Sequence, residues 1–169
     1  MAKINTELDT RLTFQAMDSS KKEIESVTTE GWVHDIPFTL IPPEIVGGFR
    51  RQGFTPEEFY FSDEWRQPNH WNAAFVKNGE IVIFMYGHIN TLSKYLYVER
   101  IGASPSVQSY GIGVWKISIE EGEHIAREKG CRYIWTTTFR AGEIRKFLKS
   151  TDGVVLNPKT MQIIRKDFT

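Results

Sequence analysis

The stretch Ala103-Ser-Pro-Ser-Val-Gln108-Ser-Tyr-Gly111-Ile-Gly113 lies between two segments of different character. The preceding run, Tyr95-Leu-Tyr-Val-Glu-Arg-Ile101, is apolar and aromatic and predicts a β-strand, whereas the pattern of residues 114–129 predicts a helix. The first amides of a helix have no partner within it and carry the positive end of its dipole. Because Gly111 and Gly113 leave those amides accessible, the stretch predicts a phosphate-binding turn between a strand and a helix.

Two common phosphate-binding motifs do not fit this stretch. The dinucleotide fingerprint requires a third glycine where Trp115 or Lys116 stands, and a P-loop requires a Gly-Lys-Ser/Thr sequence that is absent. The stretch instead resembles the acyl-coenzyme A loop of the GCN5-related N-acetyltransferase (GNAT) superfamily. Five positions carry the resemblance, namely Ala103, Pro105, Gln108, Gly111 and Gly113.

The resemblance implies that acetyl-coenzyme A (acetyl-CoA) is the cofactor and that two backbone segments hold it. In that fold the strands before and after the loop helix splay apart, and the pantetheine arm lies along the edge of the first. Here this edge corresponds to Ile101, Gly102 and Ala103. Backbone amides would hold the pyrophosphate, and they belong to Gln108, Ser109, Tyr110, Gly111, Ile112, Gly113 and Val114.

Composition limits the class of protein. A chain of 169 residues is expected to form a single domain over residues 1–169, with 40% hydrophobic residues to build its core. The 21 basic residues balance the 21 acidic ones, so charge indicates neither nucleic acid nor a membrane as a partner. The single cysteine, Cys131, and the polar amino terminus favour a cytoplasmic location. The spacing of the histidines predicts no metal site.

The first part of the chain gives mixed signals. Residues Arg11–Met17 alternate and predict a strand, and Asp18-Ser-Ser is expected to cap a helix over Lys21–Val27. Five prolines and a Gly-Gly pair interrupt Gly31–Asn69, which predicts short helices and loops there. One of those helices is expected to begin at Pro42-Pro43, because proline favours the first helical turn.

The second part of the chain is more regular. Asn78-Gly79 predicts a tight hairpin between Trp71–Lys77 and Glu80–Ile89, and a third strand is expected over Lys94–Ala103. After the loop helix, Arg132–Phe139 predicts a strand parallel to the third one. A short helix over Gly142–Ser150 and a closing hairpin, Val154–Leu156 with Met161–Arg165, follow. This order predicts an α/β GNAT-like fold, with a mixed, mostly antiparallel sheet, one splayed parallel pair and flanking helices.

Acyl transfer to an amine needs a base for the ammonium proton and an acid for the leaving thiolate. Glu99 is the candidate base, because alternation predicts that Tyr95, Tyr97, Glu99, Ile101 and Ala103 share the strand face that meets the thioester in related enzymes. The alternative is a structural carboxylate paired with a neighbouring Lys or Arg. Leu148 occupies the position where many members have the acid tyrosine, so Tyr110 is the candidate to assist the thiolate.

The leading hypothesis is an acetyl-CoA-dependent N-acetyltransferase that acts by direct attack on an unidentified small-molecule or peptide amine. The alternative is a catalytically silent GNAT-fold protein with a binding or structural role, for example one encoded by a phage. Leu148 motivates this alternative. The resemblance also allows a homodimer.

Overall fold

The computed structural model describes residues 15, 17–55, 68–108, 112–137, 154–156 and 163–167. Within them, seven strands form one sheet in the order β1-β2-β3-β4-β5-β7-β6. The strands are β1 (Glu30–His34), β2 (His70–Lys77), β3 (Glu80–Asn90), β4 (Tyr95–Ala103), β5 (Tyr133–Thr137), β6 (Val154–Leu156) and β7 (Ile163–Asp167). Neighbours are antiparallel except β4 and β5. The predicted fold class is confirmed.

Helices flank the sheet. Residues 17–26 are helical and are called α1; α2 spans Pro43–Arg51, α3 spans Pro105–Gln108 and α4 spans Ile112–Glu128, with a 3-10 turn at Phe38–Leu40. The predicted helix start at Pro43 is confirmed. The predicted helix over Gly142–Ser150 lies outside the described residues.

The amino-terminal predictions need correction. Gln15 and Met17 are helical, so the strand predicted over Arg11–Met17 is wrong at those two residues; the other five lie outside the described residues. Asp18 is likewise not a cap. It lies inside α1, where its carboxylate pairs with the Lys22 ammonium at 3.0 Å, one helical turn away.

Strand β1 lies in a region for which loops and short helices were expected. Its residues show no alternation of apolar and polar side chains, because both faces of the strand are covered. Trp32 packs against the cluster on one side of the sheet and Val33 against the cluster on the other. A five-residue strand of this kind lacks the period-two signal that identifies half-buried strands.

The predicted turns are confirmed. Asn78 and Gly79 have φ values of 51° and 77°, and they join β2 to β3 with Lys77 opposite Glu80. Gly130, with φ 73°, follows the end of α4. Strands β6 and β7 pair antiparallel, as predicted for the closing hairpin. The second strand, β7, ends at Asp167, two residues later than predicted. The first two residues of its predicted range, Met161 and Gln162, lie outside the described residues.

Hydrophobic clusters pack on both faces of the sheet. On one face α2 contributes Ile45, Val46 and Phe49 against Phe84 and Tyr86. On the other face α4 contributes Ile119, Ile125 and Ala126, which contact the sheet residues Met85, Leu96, Val98 and Ile134. A side-chain carbon at Gly122 would lie 2.7 Å from Ile134 Cδ1, so glycine allows α4 to approach the sheet, as its sequence predicted.

A charged pair connects β1 to α4. His34 Nε2 lies 2.6 Å from Glu121 Oε1, and this hydrogen bond raises the pKa of His34 above its ordinary value of 6.5, against the opposing effect of burial. A histidine pKa raised by folding stabilises the native state fully at pH values below the unfolded pKa. That contribution is lost as the pH rises through the higher folded pKa.

We therefore expect the contribution of His34 to the free energy of unfolding to fall as the pH rises from below its ordinary pKa of 6.5 through its raised pKa in the folded protein. His34→Gln should remove this part of the pH dependence. Urea denaturation across that range measures it. His124, exposed on α4, gives a matched control as His124→Gln. Equal pH dependence in wild type and His34→Gln would contradict the assignment.

Candidate active site

The parallel strands β4 and β5 separate halfway along β4. Their register runs from Tyr95 opposite Tyr133 to Val98 opposite Thr136. Beyond Val98, β4 continues to Ala103 and pairs with β3 along its other edge. Residues 99–103 therefore have no β5 partner within the described part of the chain, and the structure places Ile101, Gly102 and Ala103 on this open edge.

The open edge leads to the start of α4. The amide of Ser104 donates to the carbonyl of Val82 at 2.8 Å, and α3 follows directly, with the buried side chain of Val107 packed on Val82 and Ile83. Helix α4 then begins at Ile112, two residues earlier than predicted. The predicted site residues therefore lie at the end of α3 (Gln108) and at the start of α4 (Ile112, Gly113 and Val114), whereas Ser109, Tyr110 and Gly111 are outside the described residues.

Helix α3 was not predicted. Its sequence signal is Ser104-Pro105, in which a serine suited to the N-cap precedes a proline suited to the first helical position. The Ser104 and Ser106 hydroxyl oxygens lie 2.6 Å apart. Because α3 has only four residues, its helical pattern is too short to be detected by periodicity.

A β-bulge interrupts β4 at Glu99. Tyr86 of β3 lies opposite Arg100, and Gly87 lies opposite Val98, so Glu99 has no counterpart in the register. An extra residue of this kind shifts the alternation of the strand beyond it. The prediction that Tyr95, Tyr97, Glu99, Ile101 and Ala103 share one face is wrong for this reason.

Contacts show how these residues divide between the two faces. Leu96, Val98 and Ile101 pack with the cluster on the α4 side, whereas the ring of Tyr97 contacts His88 on the α2 side, at 5.1 Å between centroids. Beyond the bulge, Gly102 faces α2, because a side-chain carbon there would lie 2.7 Å from Phe49 Cζ. Glu99 thus shares the α2 side with Tyr97 and not with Ile101.

The carboxylate of Glu99 contacts a histidine. Its Oε1 lies 3.2 Å from His88 Nδ1, and 37% of the Glu99 side chain and 34% of the His88 side chain are exposed. The guanidinium of Arg100 donates to the backbone carbonyl of Glu99 and lies over the ring of Phe54. Among the described residues, no Lys or Arg forms a close ion pair with the Glu99 carboxylate, although the charge of Glu99 acts on the neighbouring Arg100.

Aromatic rings surround the His88 imidazole. Tyr95 lies 6.4 Å from it between centroids, and Tyr95 in turn stacks on Tyr133 at 5.7 Å. The sequence analysis gave His88 no functional role, because the spacing of the histidines predicted no metal site. Its contact with Glu99 depends on strand pairing, which the local sequence does not reveal. His88 lies opposite Tyr97 in the β3–β4 pair, next to the bulge that contains Glu99.

Other candidate chemistry is not supported by the residues that the structure describes. They contain no group of three His, Cys, Asp or Glu side chains that could hold a metal ion. Cys131 is buried, and burial raises the pKa of its thiol, which disfavours the nucleophilic thiolate. No described helix has the length and apolar character needed to cross a lipid bilayer.

Comparisons with known proteins agree with the fold. The model of the Acetyltransferase (GNAT) family matches residues 43–145, and no curated protein matches the chain. A GNAT family acetyltransferase from Elizabethkingia anophelis with acetyl-CoA bound superposes at a TM-score of 0.59, with 11% identity over 83% of this chain and 99% of the other. The PaiA N-acetyltransferase of Thermoplasma acidophilum in complex with coenzyme A gives 0.53, with 15% identity over 77% and 82%.

A more distant similarity adds no argument. Nourseothricin acetyltransferase superposes at a TM-score of 0.44 with 18% identity, and the match covers 59% of this chain and 66% of that one. At such identities, the solved structures are similar to this chain in fold alone.

Proposed function

Since the chain belongs to the GNAT acetyltransferase family, we propose that it transfers an acetyl group from acetyl-CoA to a small-molecule or peptide amine by direct attack. One observation carries the proposal. The edge of β4 opens beyond Val98 and leads through α3 to the N-terminus of α4, while Glu99 stands at the start of that open edge.

The residues present fit acetyl-CoA as the cofactor. The open backbone edge at Ile101, Gly102 and Ala103 offers hydrogen-bonding groups to an amide-containing arm. The N-terminus of α4 offers the amides of Ile112, Gly113 and Val114 to a diphosphate. The resemblance implies that the amides of Gln108, Ser109, Tyr110 and Gly111 contribute as well. When bound, the coenzyme supplies a thioester whose carbonyl carbon is open to attack by an amine.

Glu99 is the proposed base. Its carboxylate is partly exposed on the α2 side of the sheet, so an ammonium can reach it and transfer a proton. The deprotonated amine then has a lone pair for attack. Tyr110 is proposed to protonate the departing thiolate, because Leu148 has no proton to donate at the position where related enzymes have a tyrosine.

Binding of acetyl-CoA tests the cofactor proposal. We expect isothermal titration calorimetry to detect binding to the wild type, and Gly113→Glu to weaken it by about tenfold or more, equivalent to about 1.4 kcal/mol. An added carboxylate in the first turn of α4 favours the helix itself but repels a diphosphate at the same amides. Lys129→Gln, just beyond the far end of α4, changes the net charge equally and should bind as the wild type does.

A measurement of turnover distinguishes an active acetyltransferase from the catalytically silent alternative. Release of coenzyme A thiol would be followed with polyamines, aminoglycosides, amino acids and peptides as acceptors. Binding without turnover of any acceptor would favour the silent alternative, which Leu148 motivates. Absence of binding at high micromolar acetyl-CoA would contradict the proposed function as a whole.

A further inference from the structure

The side chains of His88 and Glu99 form a contact to which the proposed function assigns no role. We infer that His88 is a positioning residue, which holds the Glu99 carboxylate in place for proton removal. The inference rests on the proposed function, in which Glu99 is the base. His88 belongs to β3 and Glu99 to β4, and the two side chains meet at 3.2 Å across the bulge.

The bulge explains why Glu99 needs such support. A residue without a register partner lacks a cross-strand neighbour that would fix its side chain. A glutamate side chain that is 37% exposed has several rotamers open to it. The hydrogen bond from His88 selects the rotamer that keeps the carboxylate on the α2 side of the sheet.

The imidazole is itself held by its neighbours. The rings of Tyr97 and Tyr95 lie 5.1 Å and 6.4 Å from that of His88, and the ring of His70 lies 6.4 Å away on β2. His88 thus contacts rings on both neighbouring strands, β2 and β4, and these contacts restrict the orientations of its imidazole. An imidazole restricted in this way can orient the Glu99 carboxylate.

The position of the proton in the His88–Glu99 hydrogen bond defines the role of His88 more closely. An ionised carboxylate only accepts hydrogen bonds, so the Nδ1 atom of His88 donates to Glu99 Oε1. A nitrogen that already carries its proton cannot accept another one from Glu99. His88 therefore orients the base and does not relay its proton, and the proton that Glu99 removes leaves by another route.

Two substitutions of His88 distinguish the effect of losing its hydrogen-bond donor from the effect of losing its ring. His88→Leu removes the donor and keeps an apolar side chain, whereas His88→Asn places an amide donor close to the position of Nδ1. We expect kcat to fall about 10- to 100-fold in His88→Leu, as for loss of a hydrogen bond to a charged group, with KM for acetyl-CoA unchanged. His88→Asn should recover most of that loss, and His124→Leu on exposed α4 should match the wild type.

The outcomes distinguish this inference from the proposed function. If Glu99→Gln loses activity while His88→Leu turns over at the wild-type rate, the positioning role is overturned and the proposed function stands. If no amine is acetylated although acetyl-CoA binds, the catalytic proposal fails and the positioning role fails with it.

Spectroscopy provides a test that does not depend on turnover. In ¹⁵N-edited NMR spectra, His88 of the wild type should carry its proton on Nδ1, and Glu99→Leu should shift the population toward the Nε2–H tautomer. An Nδ1 atom without a proton in the wild type would overturn the inference.

Discussion

Replacing Glu99 by Gln is expected to lower kcat/KM for acetyl transfer by about 10²- to 10⁴-fold, the usual contribution of a positioned general base. Glutamine has almost the shape of glutamate, and its amide oxygen still accepts the hydrogen bond from His88, which in the wild type spans 3.2 Å. The substitution therefore removes the capacity to take a proton and leaves the packing around the bulge in place. Thiol release with an identified acceptor measures the effect.

The control is a carboxylate of the same type away from the site. Glu120 lies on α4, is 59% exposed and pairs only weakly with Lys116 at 4.0 Å, so Glu120→Gln should keep wild-type activity. Binding of acetyl-CoA should be equal in both variants, because the proposed cofactor contacts are made by the backbone of β4 and α4 and not by the Glu99 or Glu120 side chain. Undiminished turnover by Glu99→Gln would show that another group removes the proton.

Gly87→Ala is expected to destabilise the protein by more than about 4 kcal/mol, a size reached only when a substitution disrupts the core or backbone. Gly87 lies opposite Val98 where the bulge begins, and a side-chain carbon there would lie 1.8 Å from the carbonyl oxygen of Tyr97 and 3.1 Å from the amide nitrogen of Glu99. These are backbone atoms of the adjoining strand. They can move only if the β3–β4 pairing opens in the middle of the sheet.

A second glycine, Gly47, provides a control for which the same substitution is expected to stabilise the protein. Gly47 lies within α2, and the nearest atom to an added carbon is the end of the flexible Arg51 side chain, at 3.5 Å. Gly47→Ala should therefore stabilise the protein by about 1 kcal/mol, the ordinary helix preference of alanine over glycine. Urea denaturation followed by circular dichroism measures both variants. A wild-type denaturation midpoint for Gly87→Ala would mean that Gly87 does not face Tyr97 at close range.

Strand β4 and helix α4 were predictable because their signals are local, whereas the short helix α3 between them was not predicted. The aromatic run of β4, the glycine-containing turn and the helical pattern follow one another in the chain. The same holds for Asn78-Gly79, whose two positive φ values are favoured by those residue types. Strand β1 was missed because both of its faces are covered, so its side chains show no alternation.

The position of Glu99 could not be predicted in the same way. Strict alternation along β4 assigned it to the face of Ile101, and the bulge placed it on the other face. A sequence clue existed in Gly87, since a glycine inside a strand often accompanies a bulge or a close backbone approach. Its location opposite Val98 nevertheless depends on the register of two strands.

The amino-acid sequence by itself determined most of the GNAT-like order of elements, because helix starts, hairpins and strands depend on neighbouring residues. Only the tertiary structure decided which face Glu99 occupies and that His88 is its partner. Those two facts arise from the pairing of β3 with β4, in which one unpaired residue reverses every side chain that follows it.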